Sequence, residues 1–351
     1  MDLLFKEIVL KMLENYFTSD YSFIPKQPLN SLVINNNERR GLWLKLKSEE
    51  SFNNNPLLSK VQDFFSTYFD YIYWPELGDE KQEHLKLEVN LQIKKLINQE
   101  LLFYKDFIFP RSADLSFANV KTNYVFNAFP SDLLPLELEK LQSLGFETIK
   151  FKITKNFEQE IRLLLKQNLN HFEIRLDFNS CLETKNISDA YSALKKIPNL
   201  EYLEDPTPYS EKEWTLLASL FPLAYDQIGN KIEVPKMAQY IILKPTRSIS
   251  YDFILKLISE NKKITVTNMM DSPVGTWRSY LYYSFLKKEF PKNFTTPGLH
   301  TFSLFENHPF DLFYPFQTAI CESPEKRFGE FFSFLKSTEF RKSSALQGLR
   351  K

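Results

Sequence analysis

The chain has 351 residues, enough for one large domain or two ordinary ones around a substantial core, and its 44 Lys plus Arg equal its 44 Asp plus Glu. Balanced charge excludes a global basic field of the kind that draws a protein to nucleic acid or an anionic membrane, so charge that serves function is local. Two cysteines, Cys181 and Cys321, exclude a disulfide framework, and the four histidines show no metal spacing with them, which points to a reducing, cytoplasmic setting.

The apolar N-terminal run is interrupted by Lys6, Glu7 and Lys11, and nowhere do eighteen or so uncharged apolar residues run together; neither export nor membrane insertion is expected. Only 8 glycines stand against 33 phenylalanines. Turns must rely on Asn, Asp, Ser and Pro, and both the P-loop and the dinucleotide fingerprint are absent, which argues against nucleotide-dependent chemistry.

In chain order, residues 1–115 are expected to form an α+β domain. Residues 31–50, SLVINNNERRGLWLKLKSEE, read as a β-hairpin turning through the Asn run, while 57–69 and 81–102 read as helices. From about residue 122 short β-like runs alternate with amphipathic helices in the rhythm of βα units. NYVFNAF (123–129) reads as a strand, followed by a helix through Leu138, Leu141 and Leu144 that ends at a C′ glycine, Gly145. Strands are expected at 148–154, 172–180, 200–206, 222–227, 240–246 and 264–269, with helices at 156–168, 187–197, 251–261 and 276–290. Ser210 and Glu213 suggest a capping box for one more helix, and HTFSLF (300–305) is the last short strand candidate.

About eight strands in such a series predict a (β/α)7–8 barrel, a modified TIM barrel, over 116–310. A doubly wound sheet shares the rhythm. The Phe-rich segment 311–351 is expected to pack back on the N-terminal α+β capping domain, completing it, and to fray at its polar end.

Alternation turns this fold into a site. In TIKFKIT, Lys150 and Lys152 share one face of a strand and Ile149, Phe151 and Ile153 the other. Alone, such a strand most simply shows its lysines to water. The following strands repeat the pattern near their C-terminal ends, with Arg175, Asp177 and Asn179, then Glu204, Asp226, Lys244 and Asn268. Each has a bland alternative: helix caps for the aspartates, a solvated strand end for Glu204, a surface position for Lys244, a structural ion pair for Arg175. All of them together, one per βα unit, point instead to a polar barrel mouth, where the active sites of such barrels lie.

Three carboxylates on adjacent strands, Asp177, Glu204 and Asp226, are hard oxygen donors suited to Mg²⁺ and repel one another without a cation. Lysines flank them on both sides, a layout suited to abstracting the proton beside a small-molecule carboxylate. A lysine base must be neutral, and a neighbouring lysine, burial and a cation all lower its pKa.

These residues resemble the enolase superfamily, in its muconate-cycloisomerase-like subgroup, and most of all those members that dehydrate a cyclohexadiene carboxylate in menaquinone biosynthesis. A lysine base with a Mg²⁺-stabilised enediolate is that superfamily's known pattern. The resemblance rests on Lys-x-Lys, Asp-x-Asn, Glu before an acid and Pro, Asp, then Lys-Pro, between about residues 120 and 310. It implies Lys152 as acid/base with Lys150 as its helper, Lys244 as electrostatic stabiliser, and Asp177, Glu204 and Asp226 as Mg²⁺ ligands. Arg175, Asn179, Asn268, Gly275 and Gly298 are implied as substrate contacts. The implied reaction is that of a carbon–oxygen lyase; a racemase of N-succinylamino acids using the same lysine pair, or another cycloisomerase-like member, is the alternative, and a non-catalytic ligand-binding relative a more distant one. The chain departs from the subgroup in having Gln227 after the third carboxylate and Asp205 after the second, in lacking a Gly-rich loop within 45–60, and in lacking the eighth-strand Asp-x-Asp of dipeptide epimerases.

Overall fold

The computed structural model describes residues 16–26, 39–46, 60–61, 64–65, 68–72, 117, 119–127, 133–182, 187–226, 234–245, 250–269, 271–306, 310–339 and 341–342. The expected helix at 81–102, the Asn-run turn, Gln227 and the frayed C-terminal end lie outside them, as does most of 45–60.

Three strands come first: β1 (Tyr16–Phe23), β2 (Arg39–Leu46) and β3 (Tyr68–Ile72). Strand β2 is antiparallel to β1, with Tyr16 opposite Leu46 and Phe23 opposite Arg39, and β3 adds on its other side. This corrects the hairpin expected within 31–50: the partner of β2 is YFTSDYSF, whose Thr-Ser-Asp centre carries no apolar alternation to announce a strand. The helix expected over 57–69 is helical at the described residues 60–61 and 64–65, and only its end is corrected, since β3 begins at Tyr68.

The βα series follows as β4 (Tyr124–Phe126), α1 (Leu134–Ser143), β5 (Thr148–Lys152), α2 (Phe157–Leu164), β6 (Glu173–Asp177), α3 (Ile187–Leu194), β7 (Leu200–Glu204), α4 (Glu211–Ala218), β8 (Leu223–Tyr225), β9 (Tyr240–Leu243), α5 (Tyr251–Ser259), β10 (Lys263–Val266) and α6 (Pro273–Glu289). Helix α7 (Pro324–Ser337) and β11 (Arg341–Lys342) end the described chain. Strand β11 pairs antiparallel with β1 at Phe17 and Thr18, so the tail completes the N-terminal sheet.

Helix boundaries follow local chemistry. Gly145 takes φ +81 just past α1, where Phe146 N–H bonds Leu141 O and Gly145 N–H bonds Gln142 O, a Schellman closure. Ser250 and Ser272 cap α5 and α6 through their hydroxyls. Ser210 does stand at the N-cap of α4, but its hydroxyl makes no cap bond, so the expected capping box does not form.

Strands β4 to β10 form one seven-stranded parallel sheet in strict sequence order. Its two edges are joined by 293–300: Thr295 N–H bonds Ile264 O and Gly298 N–H bonds Val266 O on the β10 side, while Asn123 N–H bonds Pro297 O on the β4 side. The barrel is therefore closed by a segment too irregular to be a strand. The strand expected at 300–305 is instead a 3₁₀ turn, Phe302–Leu304, because closure happens just upstream of it.

Alternation sorts the strand residues as expected for such a barrel. Ile149, Phe151, Ile174, Leu176, Leu203, Leu243 and Val266 join the main core under the helices, while Tyr202, Ala224 and Ile242 form a separate small cluster. Helix α6 is buried almost all round, since Arg278 donates from Nη1 to Tyr68 O at 2.7 Å, Trp277 stacks on Phe331, and Phe65 meets Tyr282 edge to face. The N-terminal sheet and α7 thus cover the barrel through this helix. Among the described residues no helix is long and apolar enough to cross a membrane.

Candidate active site

Parallel register places the polar residues in layers. Lys150 pairs with Arg175, Arg175 with Tyr202, Lys152 with Asp177 and Asp177 with Glu204. The lower layer is Lys150, Arg175 and Tyr202, and the upper one, at the C-terminal mouth, begins with Lys152, Asp177 and Glu204.

Lys150 Nζ stands 2.9 Å from Asp177 Oδ2 and 2.6 Å from Glu204 Oε1. Burial disfavours its charge, but Asp177 and Glu204 more than offset that and hold its pKa well above the ordinary value, so Lys150 is an ammonium. On the far side of the carboxylates Lys244 is bonded to Asp226. Lys152 is shifted the opposite way from Lys150. Burial, reinforced by the charges of Lys150 and Lys244 and opposed by Asp177 and Glu204, lowers it to about 8.

The carboxylates divide in the same way. Although burial works against its charge, Lys150 and Lys152 hold Asp177 below the usual carboxylate range. Burial and the neighbouring Asp177 push Glu204 up to about 7 despite Lys150 beside it, and burial with Asp226 raises Asp205 well above its ordinary value. The mouth holds more carboxylates than cations.

Asp177, Glu204 and Asp226 could hold a hard divalent cation. Glu204 Oε2 and Asp226 Oδ1 are buried without hydrogen-bond partners, and the donor set is all oxygen. Among the described residues no group of three candidate ligands is already drawn together around a cation position. Lys150 bridges two of the carboxylates and Lys244 engages the third, supplying the positive charge in this conformation.

The other expected residues fall into three positions. Asn179, at φ 44, donates its backbone N–H to Asp177 Oδ1 and keeps a buried, unbonded Nδ2 beside the carboxylates. Asn268 spends its Nδ2 on Thr276 Oγ1 and Thr301 Oγ1, which ties the end of β10 to α6 and to the segment after the closure. Gly275 is buried in the first turn of α6. That turn is reached from the N-terminal sheet by Trp43, whose Nε1 donates to Ser272 Oγ at 2.8 Å.

Arg175 and Gly298 lie in the lower layer and at the closing seam. Arg175 is fully buried in the lower layer, donating from Nε to Glu201 Oε2 at 2.6 Å and from Nη1 to Asn123 Oδ1 at 3.0 Å, with its guanidinium 5.1 Å from the Tyr202 ring centre. Glu201 reaches it because the β6–β7 register slips between Ile174 and Arg175, leaving Glu201 as the extra residue of a bulge. Gly298 lies where the same Asn123 crosses the closing seam: a Cβ there would come 2.8 Å from Asn123 Oδ1 and 3.0 Å from Thr267 Cγ2. Gly298→Ala is therefore expected to cost about 1–3 kcal/mol through overpacking, read as a lowered thermal midpoint.

Two mouth residues carried no role in the sequence reading. Asn127 Oδ1 and Thr267 Oγ1 are buried without partners. Asn127 is two residues past Val125, which pairs with Lys150, and Thr267 N–H bonds Leu243 O, beside Lys244. Extending the strand register by two residues was the signal that could have found them.

A closed parallel barrel, capped by an antiparallel sheet that the tail completes and carrying lysines on both sides of a carboxylate row, has the fold of the enolase superfamily. No family model matches the sequence. The chain resembles the o-succinylbenzoate synthase of Bdellovibrio bacteriovorus, at 25% identity over 303 residues, 83% of this chain and 87% of that protein. Among solved structures it is similar to MenC from Desulfotalea psychrophila (TM-score 0.56, 15% identity, 84% of this chain and 95% of that one). It is also similar to a mandelate racemase/muconate lactonizing protein from Herpetosiphon aurantiacus (0.63, 12%, 88% and 95%) and to a dipeptide epimerase from Enterococcus faecalis complexed with Mg and a dipeptide (0.59, 11%, 84% and 92%).

Proposed function

We propose that this chain is an o-succinylbenzoate synthase of menaquinone biosynthesis, acting in the cytoplasm on 2-succinyl-6-hydroxy-2,4-cyclohexadiene-1-carboxylate and forming 2-succinylbenzoate by syn dehydration. The observation that carries the reading is the contrast within one mouth between Lys152, lowered to about 8, and Lys150, held charged between Asp177 and Glu204, with Lys244 on the far side of the carboxylate row. The resemblance to the Bdellovibrio protein supports the choice of substrate.

In this reading Asp177, Glu204 and Asp226 hold Mg²⁺, which when bound supplies positive charge for the substrate carboxylate and favours ionisation at the adjacent carbon. Neutral Lys152 takes the α-proton through Nζ, and the electron pair of that C–H bond passes into the carboxylate to give an enediolate. Lys244, on the opposite side of the carboxylate row, steadies the developing negative charge without moving a proton. Lys150 stays charged, orients Asp177 and Glu204, and keeps Lys152 acidic enough to be neutral in part at physiological pH.

The second half is the return. The Lys152 ammonium protonates the hydroxyl on the same face, the C–O bond breaks, water leaves, and the enediolate electron pair becomes the last double bond of an aromatic ring. Aromatisation drives the reaction forward.

The expected result for the purified protein with Mg²⁺ and the cyclohexadiene substrate is loss of diene ultraviolet absorbance at a rate that chelation abolishes. The two-sided lysine arrangement also suits 1,1-proton transfer on an N-succinylamino acid. Solvent deuterium entering the α-position in both stereochemical senses, with no turnover of the cyclohexadiene, would select that racemase instead.

A further inference from the structure

The dehydration has a second demand besides a base: the departing hydroxyl must be held on the face of Lys152 while its C–O bond breaks. The residues assigned above hold the carboxylate, the enediolate charge and the proton. None of them is given to holding the hydroxyl.

Asn127 is the mouth residue beside Lys152 that has no role so far. It is one residue past β4, in a strand whose Phe126 stacks on Phe151 at 5.0 Å in the outer core. Alternation then turns Val125 and Asn127 to the inner face with Lys150 and Lys152, and because Val125 is in register with Lys150, Asn127 stands in the row of Lys152. Strand β4 flanks β5 on the side away from the carboxylate strands β6, β7 and β8. Asn127 therefore neighbours the base on the side opposite the proposed cation position. Its Oδ1 is buried and accepts no hydrogen bond within the protein, an unmet acceptor whose cost a bound donor would remove.

We infer that Asn127 is the leaving-group residue of this site, accepting through Oδ1 a hydrogen bond from the substrate's ring hydroxyl. The inference rests on the dehydratase reading and goes beyond it. The hydroxyl has one proton to donate and lone pairs to receive another. With its O–H pinned to Asn127, a lone pair faces the Lys152 ammonium, which transfers the proton taken from carbon. The oxygen leaves as water with the C–O bonding pair, and the proton count closes on Lys152, neutral again. A hydrogen bond to Asn127 thus orders the second step and leaves the first, abstraction at the α-carbon, untouched.

That separation makes the test. In Asn127→Ala the enediolate forms but the hydroxyl departs slowly, so the proton returns to carbon more often. The expected result in deuterated buffer with Mg²⁺ is a kcat for diene loss lowered about 10- to 100-fold together with deuterium at the α-carbon of recovered substrate, above the wild-type level. Mg²⁺ affinity is expected to be unchanged. Asn127→Leu, which keeps the volume and loses the amide, carries the same expectation should the Ala variant fail to fold. Diene loss within twofold of wild type overturns the inference, and so does a lowered kcat without deuterium gain, since abstraction would then be impaired as well. If the wild-type protein itself does not consume the diene, the dehydratase reading fails and the role of Asn127 falls with it.

Discussion

Lys152→Ala is expected to lower kcat for diene loss by about 10²–10⁴-fold while Mg²⁺ affinity, measured by calorimetry, stays near wild type. The split follows from geometry: the ligand carboxylates are held by Lys150 and Lys244, so their arrangement survives loss of Lys152. The same residue sets the pH dependence. A base acts when unprotonated, so activity should rise with pH through its pKa and level off above it. With burial and two neighbouring ammoniums bringing Lys152 to about 8, the wild-type rate should climb about tenfold per pH unit below that value. A bound divalent cation lowers the limb further by the same electrostatics. Unchanged turnover in the variant would remove Lys152 from the role of base.

The clustering at the mouth was legible because barrel strands sort their side chains with period two. Each of Lys152, Asp177, Glu204, Asp226 and Lys244 follows an apolar residue at or just past a strand's C-terminal end, and ion pairs and parallel register bring them to one rim. Other features carried no such signal. Closure of the barrel by 293–300 depends on backbone groups of a stretch containing Pro297 and Gly298, neither of them a strand former, whose bonds are dictated by the two open edges it meets. The bulge at Glu201 is invisible in a register read from one strand at a time, since it exists only as a mismatch between β6 and β7. Strand β1 is polar at its centre and is called into the sheet by its neighbours β2 and β11. Residues defined by their own alternation were readable; those defined by a partner strand were not.

The bulge carries the largest expected effect on stability. Arg175 is fully buried and sits under the upper layer of the mouth, so its charge depends on what is aimed at it, and the side chain of Glu201, 11% exposed, supplies the only carboxylate bonded to it at 2.6 Å among the described residues. Replacing both partners of such a pair by apolar groups is often nearly neutral, whereas removing one strands a charge in the interior. Glu201→Ala should therefore cost about 3–5 kcal/mol in chemical denaturation, seen as a lowered midpoint with an unchanged slope. Arg175→Met combined with Glu201→Ala should cost distinctly less than Glu201→Ala alone, and the difference is the coupling energy of the pair. If Arg175 instead faced the substrate, Glu201→Ala would raise KM and leave the denaturation midpoint in place, and the double variant would be the worse of the two in turnover. A cost below about 1 kcal/mol for Glu201→Ala would mean that water reaches the guanidinium, and the brace beneath the mouth would have to be abandoned.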